Sequence, residues 1–175
     1  HQKALFNFLM KKITIVDYGS GNVLSAQKSF IKIAKDNNIE VNVLISKKLN
    51  DVKNSTHIVL PGQGAFSTCM NGLKKTDGLI DQLCEFALIK KKPFLGICVG
   101  MQMLAKTSEE NGVHEGLGWI DGQIKLLPGD NLKLPHMGWN LVIPTESKYN
   151  GLISNKNDYY FVHSYYFNCA NKDNI

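Results

Sequence analysis

The chain has 175 residues and a mass of 19.5 kDa, enough for one domain with a sizeable core. Hydrophobic residues make up 43% and charged residues 20%, which excludes a disordered or fibrous chain, and no apolar run approaches the roughly 18 residues of a membrane-spanning helix. The net charge of +5 comes from scattered lysines that no aromatic residues interleave, so it reads as a solvated surface rather than a nucleic-acid-binding face.

The sequence opens on His1, and Met10 followed by Lys11 and Lys12 reads as a natural start. Residues 1–9 are therefore expected to be a leader or an expression remnant, and 10–175 a single domain. Ile13, Thr14, Ile15 and Val16 form a β-rich run that stops at the Gly-rich segment 17–22. Val23, Ala26, Phe30 and Ile33 then recur at three or four residues and predict a helix with one apolar face. Val41, Val43 and Ile45 alternate as a second strand. His57, Ile58, Val59 and Leu60 predict a third, ended by Pro61, Gly62, Gln63 and Gly64. Asp77 is a candidate cap for a helix whose Ile80, Leu83, Cys84 and Ala87 share a face. Residues 93–97 predict a buried strand, with a helix over 100–105. From residue 117 onward the pattern changes to short strands at 119–127, 139–143 and 159–167.

Strands alternating with helices imply a mostly parallel sheet covered on both faces, a three-layer α/β architecture. Ligands of such sheets sit at the carboxyl ends of the strands, where the Gly-rich segments 19–21, 62–64 and 96–100 fall. Cys69, Cys84, Cys98 and Cys169 are widely spaced, which argues against a disulfide framework or a zinc site and for a reducing, cytoplasmic setting. His114-Glu115 is not continued as H-E-x-x-H, and neither a metal nor a cofactor is expected. Gly19-Ser20-Gly21 lacks the third glycine of a dinucleotide fingerprint, since Leu24 stands there.

Gly96-Ile97-Cys98-Val99-Gly100 carries the strongest chemical signal. It is a G-x-nucleophile-x-G elbow between a predicted strand and a predicted helix, with cysteine as the nucleophile. The glycines allow a sharp turn, and the free N–H groups at a helix start stabilise negative charge on the sulfur. The Val99 N–H is then placed to meet an oxyanion, and loop 62–64 is a candidate source of a second donor. A lone cysteine in a tight turn is otherwise commonly a small buried hydrophobe.

The segments YGSGN (18–22), LPGQGAF (60–66), PFLGICVGMQ (93–102), SEE (108–110), PHMGWN (135–140) and FVHSYYF (161–167) together resemble class I glutamine amidotransferases, which have a flavodoxin-like fold. Within that family the likeness is to the glutaminase subunits of imidazole glycerol phosphate synthase, in histidine biosynthesis. The resemblance runs in order from Lys11 to Phe167. Gln63 departs from the pattern, which has a small or β-branched residue there.

The resemblance implies that Cys98 attacks the carboxamide of glutamine, with Val99 and the Gly62, Gln63, Gly64 loop stabilising the oxyanion. It implies that Gln102, Glu110 and the backbone of Ser164 and Tyr165 hold the amino-acid end of the substrate. An anionic partner for the α-ammonium makes independent sense of Glu110. It further implies a heterodimer with a (β/α)8-barrel synthase, contacted through Tyr18, Asn22 and Trp139. Trp139 fits a domain core equally well. The family's catalytic His-x-Glu pair does not follow the HSYY strand here and is expected beyond Ile175; without it the polypeptide should be nearly inactive. Alternatives are a paralogous glutaminase serving a sugar amidotransferase, a catalytically dead partner-binding subunit, and a cysteine hydrolase or peptidase on a similar framework.

Overall fold

A computed structural model of the chain describes residues 10–129, 133–143 and 156–171. Four parallel strands form the central sheet: β1 (Lys11–Val16), β2 (Val41–Ser46), β3 (His57–Gly62) and β4 (Phe94–Cys98), in the spatial order β2-β1-β3-β4. This is the strand order of flavodoxin-like sheets, whose ligands collect where the winding reverses, between β1 and β3. The central strands β1 and β3 are buried almost throughout, whereas the edge strand β2 alternates in exposure. Interior parallel strands are covered on both faces and therefore read as continuous apolar runs.

Helices cover the two faces separately. On one side lies α1 (Val23–Asp36), whose Val23, Ala26 and Phe30 pack over Ile13, Ile15 and Val59. Asn22 caps it, its side chain accepting from Ser25 N at 3.0 Å. Ala34, not the expected Ile33, is the buried residue of the last turns, and Ile33 is 59% exposed. The spacing 23, 26, 30, 34 keeps one face, while Ile33 lies at its margin, about 100° round the helix from Ala34.

On the other side lie α2 (Leu49–Lys53), α3 (Phe66–Lys74) and α4 (Leu79–Cys84), which place Val52, Phe66, Cys69, Leu73, Leu79 and Leu83 in the main core with Ile58 and Leu60. The cap of α4 is Gly78, in a left-handed conformation, rather than Asp77. After Cys84 the helix widens into a π-turn over Glu85–Ile89, closed by Lys90 N bonding Glu85 O at 2.8 Å, five residues apart. Phe86 is buried rather than the expected Ala87, because Leu79, Leu83 and Phe86, spaced i, i+4 and i+7, form the face that meets the core.

The helix after β4, α5 (Val99–Gln102), is shorter than expected, and the chain passes into β5 (Ala105–Ser108). A second sheet has the order β10-β7-β5-β6, built from β5, β6 (His114–Glu115), β7 (Ile120–Leu126) and β10 (Tyr165–Cys169). Its Ile124 joins the main core. The stretch 159–167, expected as one strand, is broken at Ser164: β9 (Asn157–His163) pairs with β8 (His136–Val142) as a separate antiparallel hairpin, while β10 pairs with β7. No helix among the described residues is long and apolar enough to cross a membrane, and all four cysteines are free.

Candidate active site

Cys98 ends β4 and its neighbour Val99 begins α5. The cysteine adopts φ 54°, ψ −119°, a conformation that L-residues rarely occupy, and it is exposed. Such a position costs of order 1–3 kcal/mol and persists only where its surroundings enforce it. Glycines enforce it here. A Cβ on Gly100 would overlap the carbonyl oxygen of Leu60, and one on Gly96 would lie 2.6 Å from Met101 Cα. The start of α5 is thus pressed against β3 and the end of β4, and the turn between them is left no wider course. The thiol stands at the carboxyl edge of the sheet, as a nucleophile elbow requires.

Gly62 is the direct ladder neighbour of Cys98 across β3 and β4. A Cβ at Gly62 would lie 2.8 Å from the Val99 carbonyl carbon and overlap Gly100 N, so only glycine lets the two segments close up. Gly64, at φ 88°, turns the chain away into α3. Gly62, Val99 and Cys98 are therefore brought together. Val99 is the first residue of α5, and its N–H has no acceptor within the helix.

The segment 17–22 lies on the same loop, which the sequence reading did not foresee. Ser20 Oγ donates to the Gln63 carbonyl at 2.9 Å and accepts from the Gln63 N–H at 3.3 Å. Cys69, buried beneath, donates to the same carbonyl at 3.4 Å and lies 3.1 Å from Ser20 Oγ. A Cβ on Gly21, at φ 90°, would lie 2.9 Å from Pro61 Cβ. The available signal was topological: the segment follows β1 and loop 62–64 follows β3, and the two strands are neighbours across the winding reversal.

Tyr18 is corrected from surface to core. It is 5% exposed, and its hydroxyl donates to the Pro61 carbonyl at 2.5 Å. Burial, with the thiols of Cys69 and then Cys98 as lesser contributions, raises the pKa of this phenol far above its ordinary value. The residue is a neutral donor that holds the end of β3, and its ring contributes nothing to an exposed partner surface. Asn22 is exposed but engaged as the α1 cap. Trp139 is 70% exposed and meets Tyr160, its cross-strand neighbour, edge-on at 5.5 Å.

Gln102, one turn after Cys98, donates from Nε2 to the Tyr165 carbonyl at 3.4 Å. The Ser164 carbonyl accepts from Leu127 N at 2.9 Å. Glu110 is half-buried rather than a free surface carboxylate. Its Oε2 accepts from Phe66 N at 2.7 Å, at the start of α3, where a carboxylate also meets the positive end of the helix. The same carboxylate thus sits directly behind loop 62–64. None of the histidines at 57, 114, 136 and 163 hydrogen-bonds Cys98 among the described residues: His57 pairs with Thr56, and His136 and His163 with each other. Among the described residues no group of three or more His, Cys, Asp or Glu side chains is placed to hold a metal ion.

An exposed, strained cysteine beside a glycine-lined backbone loop is equipped for attack on a carbonyl carbon with backbone stabilisation of the resulting oxyanion. Comparison with known proteins agrees with that chemistry. The family described as glutamine amidotransferase class-I matches residues 14–174. The imidazole glycerol phosphate synthase subunit HisH of Pelagibacter ubique is 47% identical over 158 residues, covering 89% of this chain and 74% of that protein. The HisH subunit of Rhodospirillum rubrum is 42% identical over 164 residues, 91% of this chain and 76% of that protein. A HisH 1 subunit of Campylobacter jejuni is 42% identical over 163 residues, 91% and 77% respectively. The chain belongs to the class I glutamine amidotransferases, in the branch of the imidazole glycerol phosphate synthase subunit HisH.

Proposed function

We propose that this chain hydrolyses glutamine to glutamate and ammonia and delivers the ammonia to a synthase subunit that makes imidazole glycerol phosphate, in the cytoplasm. The observation that carries the reading is the conformation of Cys98, exposed at φ 54° with Gly62 as its ladder neighbour. Cys98 Sγ attacks the side-chain carbonyl carbon of glutamine, and the oxyanion is met by the Val99 N–H and by loop 62–64. Ammonia leaves after protonation of the nitrogen, forming a γ-glutamyl thioester. Water then attacks the same carbon, releasing glutamate and returning the thiol. The general base and acid is the histidine of a His-x-Glu segment expected beyond Ile175. Glu110 faces the α-ammonium, while Gln102 with the Ser164 and Tyr165 backbone orients the amino-acid end.

The partner reading rests on the exposed apolar face of the β8–β9 hairpin, where Met137, Trp139 and Leu141 are 61%, 70% and 52% exposed. A patch of that kind marks an interaction surface. It suits a (β/α)8-barrel synthase in a heterodimer that keeps ammonia from water.

The test is glutamate release from glutamine by the full-length protein, alone and with its synthase partner. Cys98→Ala should lower the rate by at least about a thousandfold, as expected when a covalent nucleophile is removed. A Cys98→Ala protein that retains most of the wild-type rate, or a wild-type protein inert toward glutamine with its partner bound, overturns the proposal.

A further inference from the structure

The bend at Ser164 is held by a chain of side chains that the reaction itself does not use. His163 Nδ1 lies 3.0 Å from the Tyr165 carbonyl oxygen, and His163 Nε2 lies 3.1 Å from His136 Nδ1. His136 Nε2 lies 2.6 Å from Asn140 Nδ2. The carbonyl can only accept, so His163 carries a hydrogen on Nδ1, and in the neutral ring Nε2 is then the acceptor. His136 then also carries its hydrogen on Nδ1 and accepts from the Asn140 amide. One polarity runs through every link, from Asn140 to the Tyr165 carbonyl. The rings are fixed from the side as well. His136 stacks on Phe161 at 4.9 Å, and the two imidazoles meet at 65° with centroids 5.2 Å apart.

The end of this chain is shared with the site. The Tyr165 carbonyl that accepts from His163 also accepts from Gln102, which stands one turn from the nucleophile. Ser164 is the residue at which the polypeptide leaves the β8–β9 hairpin for the second sheet. A side chain that bonds the carbonyl two residues ahead fixes such a bend locally. We propose that His136 and His163 are a pair of positioning residues for glutamine binding, acting through the Tyr165 carbonyl on Gln102 and the Ser164–Tyr165 backbone. The proposal rests on the glutaminase reading for its kinetic consequence and stands on hydrogen-bond geometry for its structural one.

Two measurements test it, on full-length protein in complex with its synthase partner. In the first, nitrogen-15 NMR of the imidazoles at neutral pH should report the Nδ1–H tautomer for both His136 and His163. That tautomer is the minor one in free neutral histidine, and finding Nε2–H at either residue overturns the chain. This readout needs no substitution and no activity. In the second, His163→Leu should raise the glutamine KM about tenfold with kcat within about threefold of wild type. His163→Asn, which keeps a donor near the Nδ1 position, should recover most of the loss, since about one hydrogen bond is at stake. An unchanged KM in His163→Leu, or equal KM values in the Leu and Asn variants, overturns the positioning role. An inert wild-type complex would instead discard the glutaminase reading and leave the tautomer result to stand or fall by itself.

Discussion

The hydroxyl of Ser20 holds both polar backbone groups of Gln63, donating to its carbonyl at 2.9 Å and accepting from its N–H at 3.3 Å. One short side chain thereby sets the orientation of a peptide in the loop beside the nucleophile. An N–H engaged in this way is not presented to an oxyanion, which leaves Gly62 and Gly64 as the loop's candidate donors beside the Val99 N–H of the elbow. Removing the hydroxyl should loosen the loop without disturbing the sheet. Ser20→Ala is expected to cost about 1 kcal/mol of stability. It should also speed hydrogen exchange at the Gln63 amide about fivefold, since each 1.4 kcal/mol corresponds to tenfold. Urea denaturation together with amide exchange checks both; unchanged exchange at Gln63 would show that Cys69 and Tyr18 hold the loop without Ser20.

Cys98 should trade stability for reactivity. Its φ of 54° is tolerated by glycine at little cost and by cysteine only under constraint. Cys98→Gly is expected to raise the free energy of unfolding by about 1 kcal/mol while abolishing glutamate release. Cys98→Ala, which keeps a Cβ, should abolish release without that gain. A glycine variant no more stable than the alanine variant would mean that the elbow is not strained.

The central sheet was legible because the interior strands β1 and β3 are near-continuous apolar runs, Thr14 apart, while the edge strand β2 shows itself by alternation. The nucleophile was legible because close backbone approach leaves only glycine at 96 and 100, and two glycines at fixed spacing are visible in a sequence. Helix α3 was not foreseen, since Ser67, Thr68, Asn71 and Gly72 are weak helix formers; it is secured by burying Phe66, Cys69, Met70 and Leu73. The π-turn after Cys84 was likewise hidden, because a one-residue insertion in a helix leaves no mark in its composition. Tyr18 and Ser20 were read as one motif, yet one is core and the other clasps loop 62–64. What separates them is where their hydroxyls find acceptors, and that depends on β3 lying beside β1.

Glu110 has two tasks that a substitution can separate. Its carboxylate accepts from Phe66 N at 2.7 Å, and under the proposed function its charge faces the α-ammonium of glutamine. Glu110→Gln keeps an oxygen acceptor and the side-chain length but loses the charge. The expected result is a small loss of stability, below about 1 kcal/mol, with a glutamine KM raised at least about tenfold, since hydrogen bonds between charged groups contribute roughly 1.5–3 kcal/mol. Glu110→Ala should lose both. A Gln variant with wild-type KM would confine Glu110 to capping α3.

His57 gives the fold a pH dependence that is independent of the site. It begins β3, with Nδ1 2.8 Å from Thr56 Oγ1. Its pKa lies below the ordinary 6.5, chiefly because burial disfavours the charged ring and secondarily because Lys11 repels it. The unfolded chain therefore takes up this proton before the folded chain does as the pH falls. The stabilising contribution is complete above the ordinary value and is lost as the pH drops from there through the folded value. The urea midpoint should thus be lower at about pH 5.5 than at about pH 8. His57→Gln, which cannot ionise, should flatten part of that slope, and Lys11→Gln should flatten a smaller part by removing the lesser cause. Wild-type and His57→Gln proteins with equal slopes would place the pH dependence on other groups.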